Sequence, residues 1–442
     1  MLKTLPQVHI ETFGCQMNES DSELVRSLLK QEGFGFTEDR ERADVVLVNT
    51  CAIRENAHSK IYNHLSELKA IKKQRALVVG VLGCMAQNLK SELAEKEPLI
   101  DVLAGPDAYR QLPLLLTTAL EAQEQRLPQK GFALDLSEYE TYEGIMPDRN
   151  GGVNAWITVM RGCDNFCSFC VVPYTRGRER SRDPESILFE AQDAVTRGFK
   201  QITLLGQNVN SYHHGEWDFA KLIAGVADTP GIDRVRFTSP HPKDFPPQLI
   251  EAIARHPRIC KHIHLPLQAG SDRILELMGR NYTGADYLAL VNRIRTAIPE
   301  IILTTDIICG FCSETDQDFR ETCRIVEQAQ LDSAYVFKYS ERKHTIAARK
   351  YADDVPDQVK GQRVLKLVDI QRAITAERNR RYIGKTLTVL VERDATRSAA
   401  QSMGKTDGNI TVVWDKSTGG FLPGTLVTKH IVDASASTLY GE

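Results

Sequence analysis

The sequence predicts an α/β protein in three parts: an N-terminal open parallel sheet, a central partial (βα)6 barrel and a small all-β barrel at the C-terminal end. Three observations carry that prediction. From residue 8 to about residue 125, extended apolar runs alternate with polar helical stretches, the pattern of a parallel sheet with crossover helices. The alternation resumes between Ala155 and Ser340 with six candidate strands, enough for a barrel or partial barrel. From Thr386 to Glu442, β-branched alternation broken by Gly-rich turns reads as a small closed barrel.

The N-terminal strands are expected in VHIETFG, ADVVLVNT, ALVVGVLG and LIDVLAG, each followed by Glu- and Lys-rich helical sequence. The polar stretch from Ser137 to Asn154 carries a glycine pair and little apolar periodicity, so it reads as a linker (137–154) between a first domain (1–136) and a second (155–381). The barrel strands are expected in AWITVMRG, KQITLLGQNV, RVRFTSP, HIHLPLQ, LTTDIICGF and SAYVFKYS, with helices such as PESILFEAQDAVTRG between them. Residues 341–385 read as helix and hold 12 Lys or Arg against 6 Asp or Glu. The third domain (382–442) takes its strands from TLTVLVER, NITVVWD and TLVTKHIVDA.

At 442 residues the chain has room for about three domains at ~150 residues each. Its 42% hydrophobic and 26% charged content is ordinary for a globular protein, and a formal net charge of -3 leaves local charge to identify partners. No run of about 18 apolar residues occurs, and MLKTLPQVHIETFG lacks the apolar stretch of a secretory signal. A cytoplasmic protein without membrane contact is expected. In that reducing compartment ten cysteines read as metal ligands, redox groups or core residues rather than disulfides.

Cys163, Cys167 and Cys170 lie within eight residues, directly after the first barrel strand, where barrel enzymes keep their chemistry. Cys167-x-x-Cys170 alone could be half of a zinc site. Three close thiolates can also hold three irons of a four-iron cluster and leave the last open to a substrate or cofactor. Cys15, Cys51 and Cys84 are separated by 36 and 33 residues, about one βα unit each, and each stands just past an apolar strand. In a parallel sheet those strand ends lie side by side, where open α/β folds place ligands. Three core cysteines ending three strands is the plainer alternative. Of the rest, Cys309-Gly-Phe-Cys312 spells a redox or zinc pair, yet Cys309 follows an apolar strand run and reads most simply as core, and Cys260 and Cys323 lie in or near helical segments.

The C-x-x-x-C-x-aromatic-C pattern, with Phe169 before the last cysteine, resembles the radical S-adenosylmethionine (SAM) superfamily. GCQMN, NTCAIRENA and GCMAQ look like the N-terminal domain of its methylthiotransferases, and SMGKTDGN, with Gly404, Lys405 and Asn409, resembles the TRAM RNA-binding domain. The resemblance covers nearly the whole chain. It implies one [4Fe-4S] cluster on Cys163, Cys167 and Cys170, where the amino and carboxylate groups of SAM supply the fourth ligand and an electron cleaves SAM to a 5′-deoxyadenosyl radical. It implies a second [4Fe-4S] cluster on Cys15, Cys51 and Cys84, whose open iron carries the sulfur to be methylated and inserted, with two SAM used per turnover. Gly206 and Gln207 in LLGQN, Gln268 and Ser271 in HLPLQAGS, and Asp306 and Ile308 in TTDIICG would line the SAM pocket. The family stretch G-F-P-G-E-T is altered here, with Cys312 and Ser313 at the Pro and Gly positions.

Arg176, Arg178, Arg180 and Arg182 in YTRGRERSR read either as a solvated charged face or as a phosphate-contacting mouth beside the first triad. Lys405 of the TRAM-like tail joins them as an RNA contact. TSPHP, HLPLQAGSDRILELMGRNYT and FKYSERKHTIAA look most like the tRNA-modifying branch, which implies conversion of N6-isopentenyladenosine at position 37, next to the anticodon, to its 2-methylthio derivative. Sister activities are methylthiolation of threonylcarbamoyladenosine in tRNA or of a ribosomal-protein aspartate. A zinc-stabilised, non-catalytic RNA-binding protein is the alternative of another class. The implied partners are the tRNA anticodon loop, a low-potential electron donor such as flavodoxin or ferredoxin, and a sulfur source, with the chain acting as a monomer.

Overall fold

The structure, a computed structural model, describes residues 5–52, 55–396 and 398–442. It forms two compact units, the first comprising Met1–Asn150, Met160–Arg182 and Arg342–Arg349, the second Gly151–Val159, Asp183–Glu341 and Lys350–Glu442.

In the first unit, β1 (Gln7–Phe13), β2 (Gly35–Phe36), β3 (Val45–Thr50), β4 (Val78–Gly83), β5 (Val102–Ala104) and β6 (Gly131–Ala133) form one parallel sheet in the order β2-β1-β3-β4-β5-β6. All residues of β3 and β4 are buried, as a parallel sheet covered on both faces requires. Leu24, Val25, Leu28 and Leu29 of α1 (Gln16–Gln31) pack with Val8, Leu47 and Val78, while Ile61, Leu65 and Leu68 pack with Val46, Val48, Val79 and Val81. The register pairs Phe13 with Thr50 and Thr50 with Gly83. The chain therefore leaves three neighbouring strands at one level, each within two residues of a cysteine.

Two boundaries differ from the sequence reading. The supposed linker packs into the first unit, because Tyr142 and Ile145 enter its core; the Tyr142 hydroxyl donates to the Pro106 carbonyl at 2.8 Å and accepts the Tyr109 N–H at 2.9 Å. The cysteine loop also belongs to this unit: instead of extending the barrel strand, Met160–Arg161 pairs antiparallel with Arg180–Ser181. Ala347 of the third segment donates its N–H to the Ser168 carbonyl at 2.7 Å.

The second unit contains all six expected barrel strands. Asn154–Thr158, Gln201–Leu205 and Arg234–Phe237 form one parallel sheet, and His262–His264, Ile302–Cys309 and Ser333–Lys338 another. A bridge between Val235 and Ile259 joins the two into a partial barrel. Helices such as Pro184–Thr196, Gly284–Ala297 and Asp316–Ala329 cover it, started by Asp183, Thr283 and Thr315 as N-caps.

The same unit holds the closed five-stranded barrel, in the order Thr386–Ala395, Ser398–Thr406, Thr411–Asp415, Leu439–Gly441, Leu426–Ala434. Its core is Val389, Val391, Val412, Trp414, Ile431 and Leu439, with Ile302 of the larger barrel packed into it. Arg234 donates to the Lys405 and Thr388 carbonyls at 2.7 and 3.0 Å, and Arg236 to the Asp407 and Thr406 carbonyls, both at 2.8 Å. Among the described residues no helix is long and apolar enough to cross a membrane.

Candidate active site

Cys15, Cys51 and Cys84 stand at the carboxyl ends of β1, β3 and β4, and the fold draws them together. Cys15 caps α1, its N–H and its sulfur each 3.3 Å from Asn18 Oδ1. Asn18 Nδ2 reaches Asn49 Oδ1 at 3.0 Å and the Thr50 carbonyl at 3.2 Å, and Asn49 Nδ2 returns to the Asn18 carbonyl at 2.9 Å, locking the first strand end to the second. Gly14 makes the approach possible, because a Cβ there would meet the Cys51 Cβ at 2.8 Å. The Cys51 thiol hydrogen-bonds to Cys15 and, with help from Arg176 and against burial, holds the Cys15 thiol below its ordinary range. Burial raises Cys84 in spite of the opposing charge of Arg176.

Arg176 connects this triad to the rest of the unit. Its Nε donates to Cys84 Sγ at 3.3 Å and its Nη2 to Asp21 at 2.7 Å, while Arg161 Nη2 reaches the other Asp21 oxygen at 2.7 Å. All three side chains are at most 3% exposed. Burial pushes the Asp21 carboxyl up, but Arg176 and Arg161 outweigh it and hold it below the usual range. Tyr142 lies over the Arg161 guanidinium at 4.6 Å. Two buried guanidiniums share one carboxylate, leaving one net positive charge. Among the described residues Arg176 Nη1 and Arg161 Nη1 have no hydrogen-bond partner. Three thiols beside unpartnered donors and surplus positive charge fit an anionic group such as a [4Fe-4S] cluster on three thiolates, whose formal charge in the oxidised state is one negative.

Cys163, Cys167 and Cys170 occupy the loop between the paired segments Met160–Arg161 and Arg180–Ser181. Cys163 N–H donates to the Gly177 carbonyl at 3.2 Å and Cys170 N–H to the Cys167 carbonyl at 2.9 Å. Gly162 has φ +80° and a Cβ on it would lie 1.9 Å from the Arg178 carbonyl oxygen, so the turn into Cys163 requires glycine. Burial, with Glu179 and Cys167 nearby, pushes the Cys163 thiol up to about 11. Cys167 is buried, while Cys163, Phe169 and Cys170 are half-buried. The two triads share this unit: Val171, next to Cys170, packs against Ala52 and Cys84. Among the described residues no three His, Cys, Asp or Glu side chains close on a point as ligands of a single metal ion would.

In the second unit, Gln268, Asp306 and Ile308 come together. Gln268 takes φ +68°, its N–H donates to the Asp306 carbonyl and its carbonyl accepts the Ile308 N–H, both at 2.9 Å. Its Oε1 is buried without a hydrogen-bond partner among the described residues, an acceptor suited to a ligand's amine or hydroxyl. Asp306 pairs with His264 at 3.2 Å, and His264 with the Thr304 hydroxyl at 2.9 Å. Gly206, buried, and Gln207, half-buried, follow the strand Gln201–Leu205. The Ser271 hydroxyl donates to Asp318 at 2.6 Å, which holds the turn.

The arginines of YTRGRERSR also need correction. Arg176, Arg180 and Arg182 are buried, and only Arg178 of the four is exposed. Arg180 bonds Asp107 at 2.9 Å and the Ser137 carbonyl. Arg178 lies over the Phe166 ring at 4.9 Å and pairs with Asp164 at 3.4 Å. The run reads as a charged surface in sequence because its carboxylate partners lie 73 and 155 residues away. Lys405 is half-buried and donates to the Thr411 hydroxyl at 2.7 Å. Residues missed from the sequence are Asp21, Arg161, Asn18, Asn49 and Asp107; Asn49, an amide side chain in a fully buried strand, carried the clearest signal. Cys260, Cys309, Cys312 and Cys323 are buried and burial pushes all four thiols up, Cys260 to about 12.

Comparison with known proteins places this arrangement. Residues 7–105 match the Uncharacterized protein family UPF0004, residues 157–326 the Radical SAM superfamily and residues 380–442 the TRAM domain. The fold also resembles the radical S-adenosylmethionine methyltransferase TsrM from Kitasatospora setae, solved with cobalamin and a [4Fe-4S] cluster, at TM-score 0.56 and 13% identity over 78% of this chain and 77% of that one. These features define a radical SAM enzyme with an RNA-binding tail, and its class implies a [4Fe-4S] cluster and SAM. The chain is 46% identical to a tRNA-2-methylthio-N(6)-dimethylallyladenosine synthase of Porphyromonas gingivalis, covering 99% of this chain and 94% of that one. It is 47% identical to that of Bacteroides fragilis (99% and 95%) and 45% identical to that of Pelodictyon phaeoclathratiforme (98% and 97%). The chain belongs to the tRNA-2-methylthio-N(6)-dimethylallyladenosine synthase family.

Proposed function

We propose that the protein converts N6-dimethylallyladenosine (isopentenyladenosine) at position 37 of tRNA to its 2-methylthio derivative. The observation that carries the reading is the presence of two separate cysteine triads in one folded unit, in a chain whose relatives of near-equal length carry that activity in their names. An adenine C2–H offers no acid or base handle, so the hard chemistry belongs to cofactors. When bound, the clusters and SAM would supply the reducing electron, the hydrogen-abstracting radical, the sulfur and the methyl group.

The chain's own residues divide the remaining work. Cys163, Cys167 and Cys170 would hold the first cluster, and Gly162 shapes the turn that presents them. Gln268, Asp306, Ile308, Gly206 and Gln207 would contact SAM, with Gln268 Oε1 as the available acceptor. Cys15, Cys51 and Cys84 would hold a second cluster, and the Asn18–Asn49 pair fixes the strand ends that carry them. Arg178 and Lys405 remain the proposed RNA contacts. The reaction would draw on a low-potential electron donor such as flavodoxin or ferredoxin and on a sulfur source, in the cytoplasm and as a monomer.

Nucleoside mass spectrometry of tRNA from a deletion strain tests the activity: 2-methylthio-isopentenyladenosine should vanish and unmodified isopentenyladenosine accumulate. An unchanged 2-methylthio level would overturn the assignment. The two triads separate in single variants of the anaerobically reconstituted protein. Cys163→Ala should abolish SAM cleavage, whereas Cys51→Ala should keep cleavage and lose sulfur insertion.

A further inference from the structure

We propose that Arg176 is a positioning residue for the group held by Cys15, Cys51 and Cys84, hydrogen-bonding the Cys84 sulfur and raising that group's reduction potential. The inference rests on reading those three thiols as the ligands of a second iron-sulfur cluster.

The guanidinium is planar and presents donors on three edges. In the structure Nε is directed to Cys84 Sγ at 3.3 Å, Nη2 to Asp21 at 2.7 Å, and Nη1 is buried with no hydrogen-bond partner among the described residues. Asp21 is itself held by Arg161 at 2.7 Å, so the carboxylate fixes the guanidinium from behind. A buried N–H left unpaired is costly, and although Arg180 and Arg363 also leave their Nε without a partner among the described residues, their other donors go to carboxylates and carbonyls and not to a cysteine. The open Nη1, on the same guanidinium as the Nε that reaches Cys84, points to a further acceptor, and a cluster sulfide or thiolate is of the right chemistry.

Arg176 reaches this place from the other triad. Cys170 is followed by Val171 and the short helix Val172–Thr175, and Arg176 is the next residue. Val171 packs against Ala52 and Cys84. The segment that leaves the loop triad thus delivers a cation to the sheet triad. A positive charge and N–H···S bonds favour the more negative, reduced form of an iron-sulfur group, so they raise its potential. Lysine would keep the charge but could not serve sulfur and carboxylate with one planar fork.

The test uses full-length protein carrying Cys163→Ala, Cys167→Ala and Cys170→Ala, so that the sheet triad alone binds iron. Iron content and the midpoint potential from an EPR-monitored redox titration are measured after anaerobic reconstitution. A parent that binds no iron overturns the second-cluster reading on which the proposal rests; about four irons per chain is the expected value. In that parent Arg176→Gln should lower the midpoint potential and change the EPR g values, and Arg176→Lys should recover part of the shift. Arg180→Gln removes a buried arginine whose donors go to Asp107 and to the Ser137 and Arg176 carbonyls rather than to a sulfur; it should melt earlier yet keep the parent's potential, because it holds Arg176 through the backbone and not through the guanidinium. Loss of iron from folded Arg176→Gln while Arg180→Gln stays loaded also supports the proposal. Should Arg176→Gln fail to fold, Arg176→Lys carries the test, with a smaller shift in the same direction. A potential unmoved by the Arg176 substitutions, or moved equally by Arg180→Gln, overturns the proposal.

Discussion

Two pairs of buried arginines, one in each unit, do opposite jobs. Arg234 and Arg236 are spent on the protein itself, with four N–H groups directed to the carbonyls of Thr388, Lys405, Thr406 and Asp407 and Arg236 Nε to Gln201 at 2.9 Å. Arg161 and Arg176 share one carboxylate and keep donors without partners beside a cysteine cluster. The first pair is a staple between two barrels. The second leaves Arg161 Nη1 and Arg176 Nη1, among the described residues, open to a further acceptor beside the cysteines. A buried arginine is therefore informative through its unmet hydrogen bonds rather than through its burial.

The largest effect should come from Asp21→Asn, which leaves two guanidiniums buried without their counter-charge. Breaking a buried pair in this way costs about 3–5 kcal/mol, to be read as a lower urea midpoint with unchanged slope. The pH dependence sharpens the comparison. The Asp21 carboxyl is held low in the folded state, so its stabilisation is full above the ordinary carboxylate range and is lost as pH falls toward the folded value. The variant should lose that component of acid sensitivity. A variant as stable as the parent and equally acid-sensitive would show that Asp21 is not what holds Arg161 and Arg176.

The contrast also marks what the sequence could disclose. Both cysteine triads were legible, the loop triad because its spacing is local and the sheet triad because three strands of one parallel sheet end in phase at Phe13, Thr50 and Gly83. The arginines were not, since a charge run has the same composition whether it faces water or a carboxylate from a distant helix. Asp21 was hidden for the matching reason: it lies in the polar-looking QMNESDSEL, whose Asn18, Ser20, Asp21 and Ser22 are all buried. The six barrel strands were apolar enough to read, whereas Ser398–Thr406 (SAAQSMGKT) was passed over because small and polar residues make a strand only through its neighbours. Ser313 is a finer case. It stands where the resembling family has glycine and adopts φ +62°, held by its N–H to Asp354 at 2.6 Å, so the chain keeps the backbone turn after losing the residue that favours it.

The staple should respond less than the carboxylate. Arg236→Gln removes two donors to the small barrel and one to Gln201, and a loss of about 2–3 kcal/mol is expected from hydrogen bonds of a charged group that are only partly replaced. Hydrogen exchange should rise in strand Ser398–Thr406 and spare the parallel sheet of the first unit. The iron content of the reconstituted protein should stay at the parent's value, because each nitrogen of the Arg236 guanidinium is already directed to a protein acceptor and none to a cysteine. Iron loss equal to that of Arg176→Gln would erase the distinction between staple and site.

The smallest effect on stability belongs to Arg178, the member of the same arginine run that reaches solvent. Its side chain is 67% exposed and its ion pair with Asp164 is long, at 3.4 Å. Arg178→Gln should change stability by no more than about 0.5 kcal/mol, as surface substitutions usually do. Its effect should fall instead on RNA. If this guanidinium meets a phosphate, tRNA affinity drops across all tRNA sequences and the slope of log affinity against log salt becomes shallower by about 1. Filter binding of the substrate tRNA at several salt concentrations measures both. An unchanged slope would take Arg178 off the RNA surface, so that none of the four arginines, buried or exposed, would serve there.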